Sequence, residues 1–416
     1  MTKVQFLSGL KTIGSNIADV WTDSARIIFD YGVVNDSETG ELADWDKTQV
    51  ETAVLISHLH IDHTGSLHTV PKDVPIYMSR ESYELYQKLV EIGEEPALID
   101  AKEIDATVYP LDYDEEFVIG DITITTKKSD HDIKGASAFF IETPDMKIIY
   151  SGDVRLSGNH PQNVFDWIAD AKEFEADVLL IESTAYSFDE EEEMNEEKDS
   201  EPEKKIEIFE EELYEKWEEL LETNKESIIF LNTYIRDLER LRNLSKRAQQ
   251  LGRKVVLEPI YAELLEELDA YQDSYVLKEL DTEEKFKNRW IDLVTIKRNP
   301  AEYILQNSYL NRSFMEEFDQ GIYAHSNGEP LGEYDPRYND LVEELEANHF
   351  VFEKMGASGH ATKDNLVKIA KEVNAKITIP WHGFNPEKMI MALAEAGVHS
   401  YLPERGVVYS KERIDK

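Results

Sequence analysis

Ile56-Ser57-His58-Leu59-His60-Ile61-Asp62-His63-Thr64-Gly65 places three imidazoles and a carboxylate within six consecutive positions. Imidazole nitrogen suits zinc, and a carboxylate oxygen can complete a second site beside it. A divalent pair can clamp both the attacking and the leaving oxygen of a hydrolysed bond. The preceding run 52–56, Thr-Ala-Val-Leu-Ile, is short, apolar and β-branched, and reads as a buried strand. The spacing H-x-H-x-D-H therefore starts where a strand ends and the backbone is free to turn His58 and His60 one way and Asp62 and His63 another.

Working outward, 416 residues exceed one ordinary domain and predict two. The chain has no cysteine, so a metal would rest on histidine and carboxylate, in keeping with a reducing cytoplasm. Its start shows no apolar leader, and no run approaches the roughly 18 apolar residues of a membrane span; a soluble, cytoplasmic protein with no membrane partner is expected. The 44 basic and 86 acidic residues give a net charge of −42. Phosphate neutralisation supplies much of a nucleic-acid binder's affinity, so this charge argues against a wide RNA-binding surface. It says less about cleavage at a local site.

Other segments repeat the pattern of a strand leading into a polar turn. The strand 25–29 runs into Asp30-Tyr31-Gly32, and 119–126 runs into Ser129-Asp130-His131-Asp132. A hairpin of 138–142 with 147–150 delivers Ser151-Gly152-Asp153, and 177–184 carries Glu182 near its end. Scaffold is expected at 4–7, 74–77 (strands) and 79–92 (helix), with a glycine-bearing loop at 9–16. The composition then changes. The stretch 189–203 is dominated by acid and reads as a solvated segment.

A second α/β unit follows, with helices at 204–221, 235–251 and 261–271, strands at 227–231 and 254–257, and a mixed region up to His349. No glycine-rich dinucleotide or P-loop motif occurs in it. Gly356-Ala357-Ser358-Gly359-His360-Ala361 precedes a helix at 363–373, and a strand at 376–380 runs into Trp381-His382-Gly383. His68, His160, His325, His349 and His399 have no comparable context.

In this order, the H-x-H-x-D-H motif, a strand-end glutamate, an inserted α/β segment, Ser-Gly-His-Ala and Pro-Trp-His-Gly resemble the β-CASP branch of the metallo-β-lactamases, of which ribonuclease J is a member. The resemblance covers nearly the whole chain and implies an α/β fold: a four-layer αβ/βα metallo-β-lactamase sandwich at 1–185 and 351–416, with an inserted α/β β-CASP domain at 186–350. It implies two Zn²⁺ ions, with Mn²⁺ as the other candidate. His58, His60, His131 and Asp153 would hold the first metal, and Asp62, His63, Asp153 and His382 the second, with Asp62 also counted among the catalytic residues. Asp30 would brace a metal-binding histidine. Glu182 would orient His360, which with Ser358 and Gly359 would meet the scissile phosphate. Arg236 stands where ribonuclease J tends to carry histidine, and the chain ends soon after His382, so the C-terminal domain of ribonuclease J is not expected. The activity implied is phosphodiester hydrolysis of single-stranded RNA, by a chain that can form a homo-oligomer. A small-molecule ester or nucleotide hydrolase, and a non-catalytic metal-binding scaffold, are the rival readings.

Overall fold

The computed structural model describes residues 1–33, 43–45, 50–93, 103–187, 208–332 and 335–414; the acidic run 189–203 lies outside them. The chain divides into two compact units, Met1–Ile206 with Gly359–Lys416, and Glu207–Ser358.

The first unit holds two mixed sheets. One takes β1 (Lys3–Ser8), β2 (Ile17–Trp21), β3 (Ala25–Phe29), β4 (Glu51–Ile56), β5 (Ile76–Ser79) and β6 (Val108–Leu111), paired in that order. The other takes β7 (Glu116–Ile119), β8 (Ile122–Lys128), β9 (Ser137–Glu142), β10 (Lys147–Tyr150) and β11 (Val178–Glu182). The strand expected at 119–126 is instead the second arm of a hairpin, because Gly120 adopts φ +55° and turns the chain between β7 and β8.

Between the two sheets lies a core that includes Phe6, Phe29, Leu55, Phe139, Ile148, Leu180 and Trp381. The outer face of the second sheet packs on helices Pro161–Phe174, Lys363–Val373 and Pro386–Glu395 through Trp167, Leu366 and Met389. Helix Arg80–Glu91, started by Ser79 accepting from the Ser82 amide, buries Leu85 and Leu89 beside β5 and β6. These are the helix, sheet, sheet and helix layers expected of the sandwich.

The second unit is a seven-stranded sheet, parallel throughout: β12 (Ile229–Thr233), β13 (Lys254–Leu257), β14 (Tyr275–Leu277), β15 (Trp290–Ile291), β16 (Tyr303–Gln306), β17 (Gly321–Ser326) and β18 (Phe350–Lys354), in the order 15-14-13-16-12-17-18. Since β18 pairs with β17, the chain leaves this unit after that strand, later than the boundary at 351 read from sequence. The helix expected from 204 is described from Glu210.

The chain then returns to the first unit. Strand β19 (Ile377–Trp381) pairs in parallel with β11, and β20 (Val408–Ser410) pairs with β1. Because β10, β11 and β19 run parallel, with Tyr150 opposite Leu180 and Glu182 opposite Trp381, their carboxyl ends leave one edge together. β3 and β4 do the same in the facing sheet, where the Asp30 amide bonds the Leu55 carbonyl.

Candidate metal centre

Each element that carries a titratable side chain here is fixed by its neighbours. The short helix Ile61–Thr64 inside the H-x-H-x-D-H motif is held from outside: the Tyr31 amide donates to the His63 carbonyl at 2.8 Å and the Asn16 amide to the Asp62 carbonyl at 3.2 Å. A Cβ on Gly32 would lie 1.6 Å from the Asp62 carbonyl oxygen, which is why glycine follows Asp30-Tyr31. His382 is set by the aromatic core. Trp381 packs 6.0 Å from Phe6 and 5.2 Å from Tyr150, its Nε1 donates to the Ser8 carbonyl at 3.0 Å, and the His382 amide bonds the Gly9 carbonyl. Asp30 and His382 both have positive φ, 53° and 56°. For non-glycine residues this costs on the order of 1 kcal/mol each and persists only where surrounding contacts impose it.

Two clusters result. In the first, His60 Nδ1 lies 3.1 Å from His58 Nε2 and 3.1 Å from His131 Nε2. In the second, Asp153 Oδ2 lies 3.2 Å from His63 Nε2 and 3.0 Å from His382 Nε2, and Asp62 Oδ2 lies 3.6 Å and 3.3 Å from the same two nitrogens. The same Asp153 oxygen is 3.7 Å from His58 Nε2 and 3.9 Å from His131 Nε2, so one atom faces both clusters. Ligands about 2.0–2.1 Å from a tetrahedral ion stand about 3.3 Å apart, and both donor sets fit that spacing.

The outward-facing nitrogens are mostly held as well. His58 Nδ1 meets Ser57 Oγ at 3.0 Å, and His63 Nδ1 meets Asp30 Oδ2 at 2.7 Å. His131 Nδ1 faces the Gly359 carbonyl, an acceptor, so this nitrogen carries the proton and Nε2 keeps its lone pair for the cluster. His382 Nδ1 is buried without a hydrogen-bond partner among the described residues. Asp30, wholly buried, also accepts from the Ser57 amide at 2.7 Å, Ser57 Oγ at 2.9 Å and Tyr150 OH at 2.5 Å.

Burial, reinforced by the neighbouring imidazoles, lowers His58 well below its ordinary value, and burial takes His131 to about 4 against the pull of Asp132. The second cluster behaves oppositely. Burial there works against charge, yet Asp153, Asp62 and Asp30 raise His63, and Asp153 and Asp62 raise His382 to about 9. The carboxylates draw protons onto the rings because the pocket needs positive charge, which a divalent cation also supplies.

His360 borders both sets, and with His131 and Asp153 it forms a third group of donors close enough to hold a metal. Its Nδ1 is 2.9 Å from Glu182 Oε2, and it is 3.8 Å from Asp153 Oδ2. Glu182, buried at the end of β11, uses Oε1 to accept the Val154 amide at 3.0 Å. Burial disfavours a charged His360, but Glu182 raises it to about 10.

The structure thus brings together His58, His60, Asp62, His63, His131, Asp153 and His382, with Asp30, Glu182, Gly359 and His360 around them, all in the first unit. Ser358 closes the second unit, where Arg236 is also found. Sequence reading missed Tyr150, whose hydroxyl reaches Asp30 and which reads as a core residue of β10, and Asn16, whose Nδ2 is 3.1 Å from His63 Nε2. Asn16 had one signal, its place in a two-glycine loop after the first strand.

Residues 30–211 match the family model for the Beta-lactamase superfamily domain. The chain is 29% identical over 192 residues to an RNase J-like protein of Methanocaldococcus jannaschii, covering 44% of this chain and 43% of that protein. It is 23% identical over 400 residues to Ribonuclease J of Thermus thermophilus, covering 88% of this chain and 65% of that one. The chain spans 43% to 46% of the length of three ribonuclease relatives, 65% of the Thermus thermophilus one and 18% of Endoribonuclease ysh-1 of Neurospora crassa. A crystal structure of a protein of unknown function from Enterococcus faecalis V583 superposes with a TM-score of 0.82 at 26% identity, covering 98% of this chain and 99% of that one. Residues 30–211 thus carry a match to the Beta-lactamase superfamily domain, and the chain as a whole is similar to ribonuclease J-like proteins.

Proposed function

We propose that this chain is a two-metal phosphodiester hydrolase that cleaves single-stranded RNA in the cytoplasm. The observation that carries the proposal is the Glu182–His360 pair, 2.9 Å apart and beside Asp153, which adds a proton-bearing imidazole to a complete set of metal donors. A small ester substrate gives such a group less to do; a phosphodiester needs its charge met and its leaving oxygen protonated. The names of the relatives, RNase J-like protein, Ribonuclease J and Endoribonuclease ysh-1, support RNA as the substrate.

His58, His60, His131 and Asp153 would hold one divalent ion, and Asp62, His63, Asp153 and His382 the other. Zn²⁺ suits the imidazole-rich set and Mn²⁺ is the alternative. When bound, the pair supplies hydroxide near neutral pH and offsets phosphate charge. The chain's own residues do the rest. Glu182 holds the proton on His360 Nδ1 and fixes the ring, so that Nε2 presents its proton to the phosphate and then to the leaving oxygen. Ser358 and Gly359, which lead into His360, would meet the phosphate through the same short segment.

A labelled RNA oligomer, run beside bis(p-nitrophenyl) phosphate and a mononucleotide with wild type and His360→Ala, tests this reading. Cleavage of the oligomer that collapses in the variant supports it. Turnover of the small substrates alone would favour a small-molecule hydrolase, to which the net charge of −42 offers no obstacle.

A further inference from the structure

The four residues assigned to the first metal come from three segments. His58 and His60 share one, so the local backbone sets their spacing. His131 and Asp153 lie on separate loops, past the ends of β8 and β10, and chain neighbourhood cannot relate them. A buried clip joins those two loops. Asp130, the residue before His131, offers its carbonyl to the Arg155 amide at 2.9 Å and its Oδ1 to Arg155 Nε at 3.4 Å, while Oδ2 accepts the His160 amide at 3.0 Å. Asp130 and Arg155 are only 4% and 2% exposed. A Cβ on Gly158 would collide with both the Asp130 carboxylate and Arg155 Nε, so the pair closes only over glycine. The loop that carries Asp153 is also tied on its other side. There the Val154 amide donates to Glu182 Oε1 at 3.0 Å, and the Val154 carbonyl accepts the Ala361 amide at 2.7 Å.

We propose that the Asp130–Arg155 pair is a positioning device that sets His131 against Asp153, its Nε2 now 3.9 Å from Asp153 Oδ2, in the first metal site. The proposal rests on the metal-centre reading above. Asp130 acts through His131, its neighbour in the chain, and Arg155 through the loop that carries Asp153. Burying an ion pair costs desolvation that its attraction often only balances, and an apolar pair of similar volume commonly serves stability as well or better. Stability alone therefore gives no reason for an aspartate and an arginine here; a fixed geometry between two ligand loops does.

The experiment titrates chelator-stripped protein with Zn²⁺, counts bound metal by elemental analysis and measures both affinities by chelator competition. It compares wild type, Asp130→Asn, and a double variant, Asp130→Leu with Arg155→Met, and follows denaturant unfolding of each without metal. Wild type should bind two equivalents. In Asp130→Asn the new amide nitrogen must face either Arg155 Nε or the His160 amide, both donors, so one bond of the clip is lost. This variant should hold one zinc as wild type does and the other at least about 10-fold more weakly. The double variant replaces the ion pair by an apolar pair of similar size. It should unfold in the wild-type denaturant range and still show the selective loss, which a purely structural role would not produce, and it covers the case in which Asp130→Asn fails to fold. The proposal is overturned if a folded variant binds both zinc ions as wild type does, or if both sites weaken alike. Fewer than two equivalents in wild type would overturn the metal-centre reading itself, and this proposal with it.

Discussion

Glu182 divides its two carboxylate oxygens between Val154 and His360: Oε1 accepts the Val154 amide at 3.0 Å and Oε2 meets His360 Nδ1 at 2.9 Å. The first bond fixes the carboxylate, and the second transmits that rigidity to the imidazole. Burial disfavours charge on His360, yet Glu182 raises it to about 10. In the metal-free protein this contributes stability that is fully present below the ordinary histidine value and is lost as pH rises through about 10. Glu182→Gln removes the raising charge, so His360 sheds its proton at lower pH. The alkaline limb of the kcat/KM profile should move downward, with kcat reduced about 10²-fold or more and both metals retained. An unmoved alkaline limb would show that His360 is not the group whose protonation the rate follows.

His60→Ala should lose metal and activity together, because His60 Nδ1 faces both other imidazoles of the first cluster at 3.1 Å. Unchanged metal by elemental analysis in the folded variant would contradict that placement. His360→Ala should keep both metals and lose most activity; loss of one equivalent would make His360 a ligand.

Asp30 is wholly buried and serves four donors, two of them from Ser57. Asp30→Ala leaves the Tyr150 hydroxyl, the Ser57 amide and the His63 ring without their acceptor. Denaturant unfolding should show a loss of about 3–5 kcal/mol, and metal affinity should drop about 10- to 100-fold. A loss within about 1 kcal/mol, at unchanged metal affinity, would remove Asp30 from this role.

Trp381→Ala tests whether core packing positions His382 for its proposed metal. The indole is 1% exposed and sits between Phe6 and Tyr150. Its loss should cost about 3–5 kcal/mol and weaken the second metal more than the first, since His382 is the next residue. Equal weakening at both sites would point to general loosening instead.

With a net charge of −42, the surface repels RNA at long range, and attraction must be local. Added salt screens that repulsion as well as the few phosphate contacts. The kcat/KM for a short RNA should therefore fall less than about tenfold between about 50 and 200 mM salt, and rise at first. A fall of about 10³-fold or more over that range would reveal a concentrated basic channel.

The sequence by itself singled out the histidines and carboxylates and most of their strand-end places. Spacing such as H-x-H-x-D-H is a short-range property, and an apolar run ended by a polar turn marks a strand end wherever it lies. Such strand ends, with the resemblance of their order, were enough to assemble the first unit in outline. The mixed region before His349 was another matter. Runs such as Tyr303–Gln306 are too short to tell a buried parallel strand from a helix turn, and only pairing with β12 and β13 makes β16. The same holds at the site. That Asp153 Oδ2 faces both clusters, that Tyr150 reaches Asp30 across 120 residues, and that Asp130 pairs with Arg155 beside a glycine at 158 depend on sheet register and on side chains meeting across long separations. A linear pattern carries no such distances. They are fixed when β10, β11 and β19 align in parallel and their carboxyl ends are drawn to one edge by the core packed between the sheets.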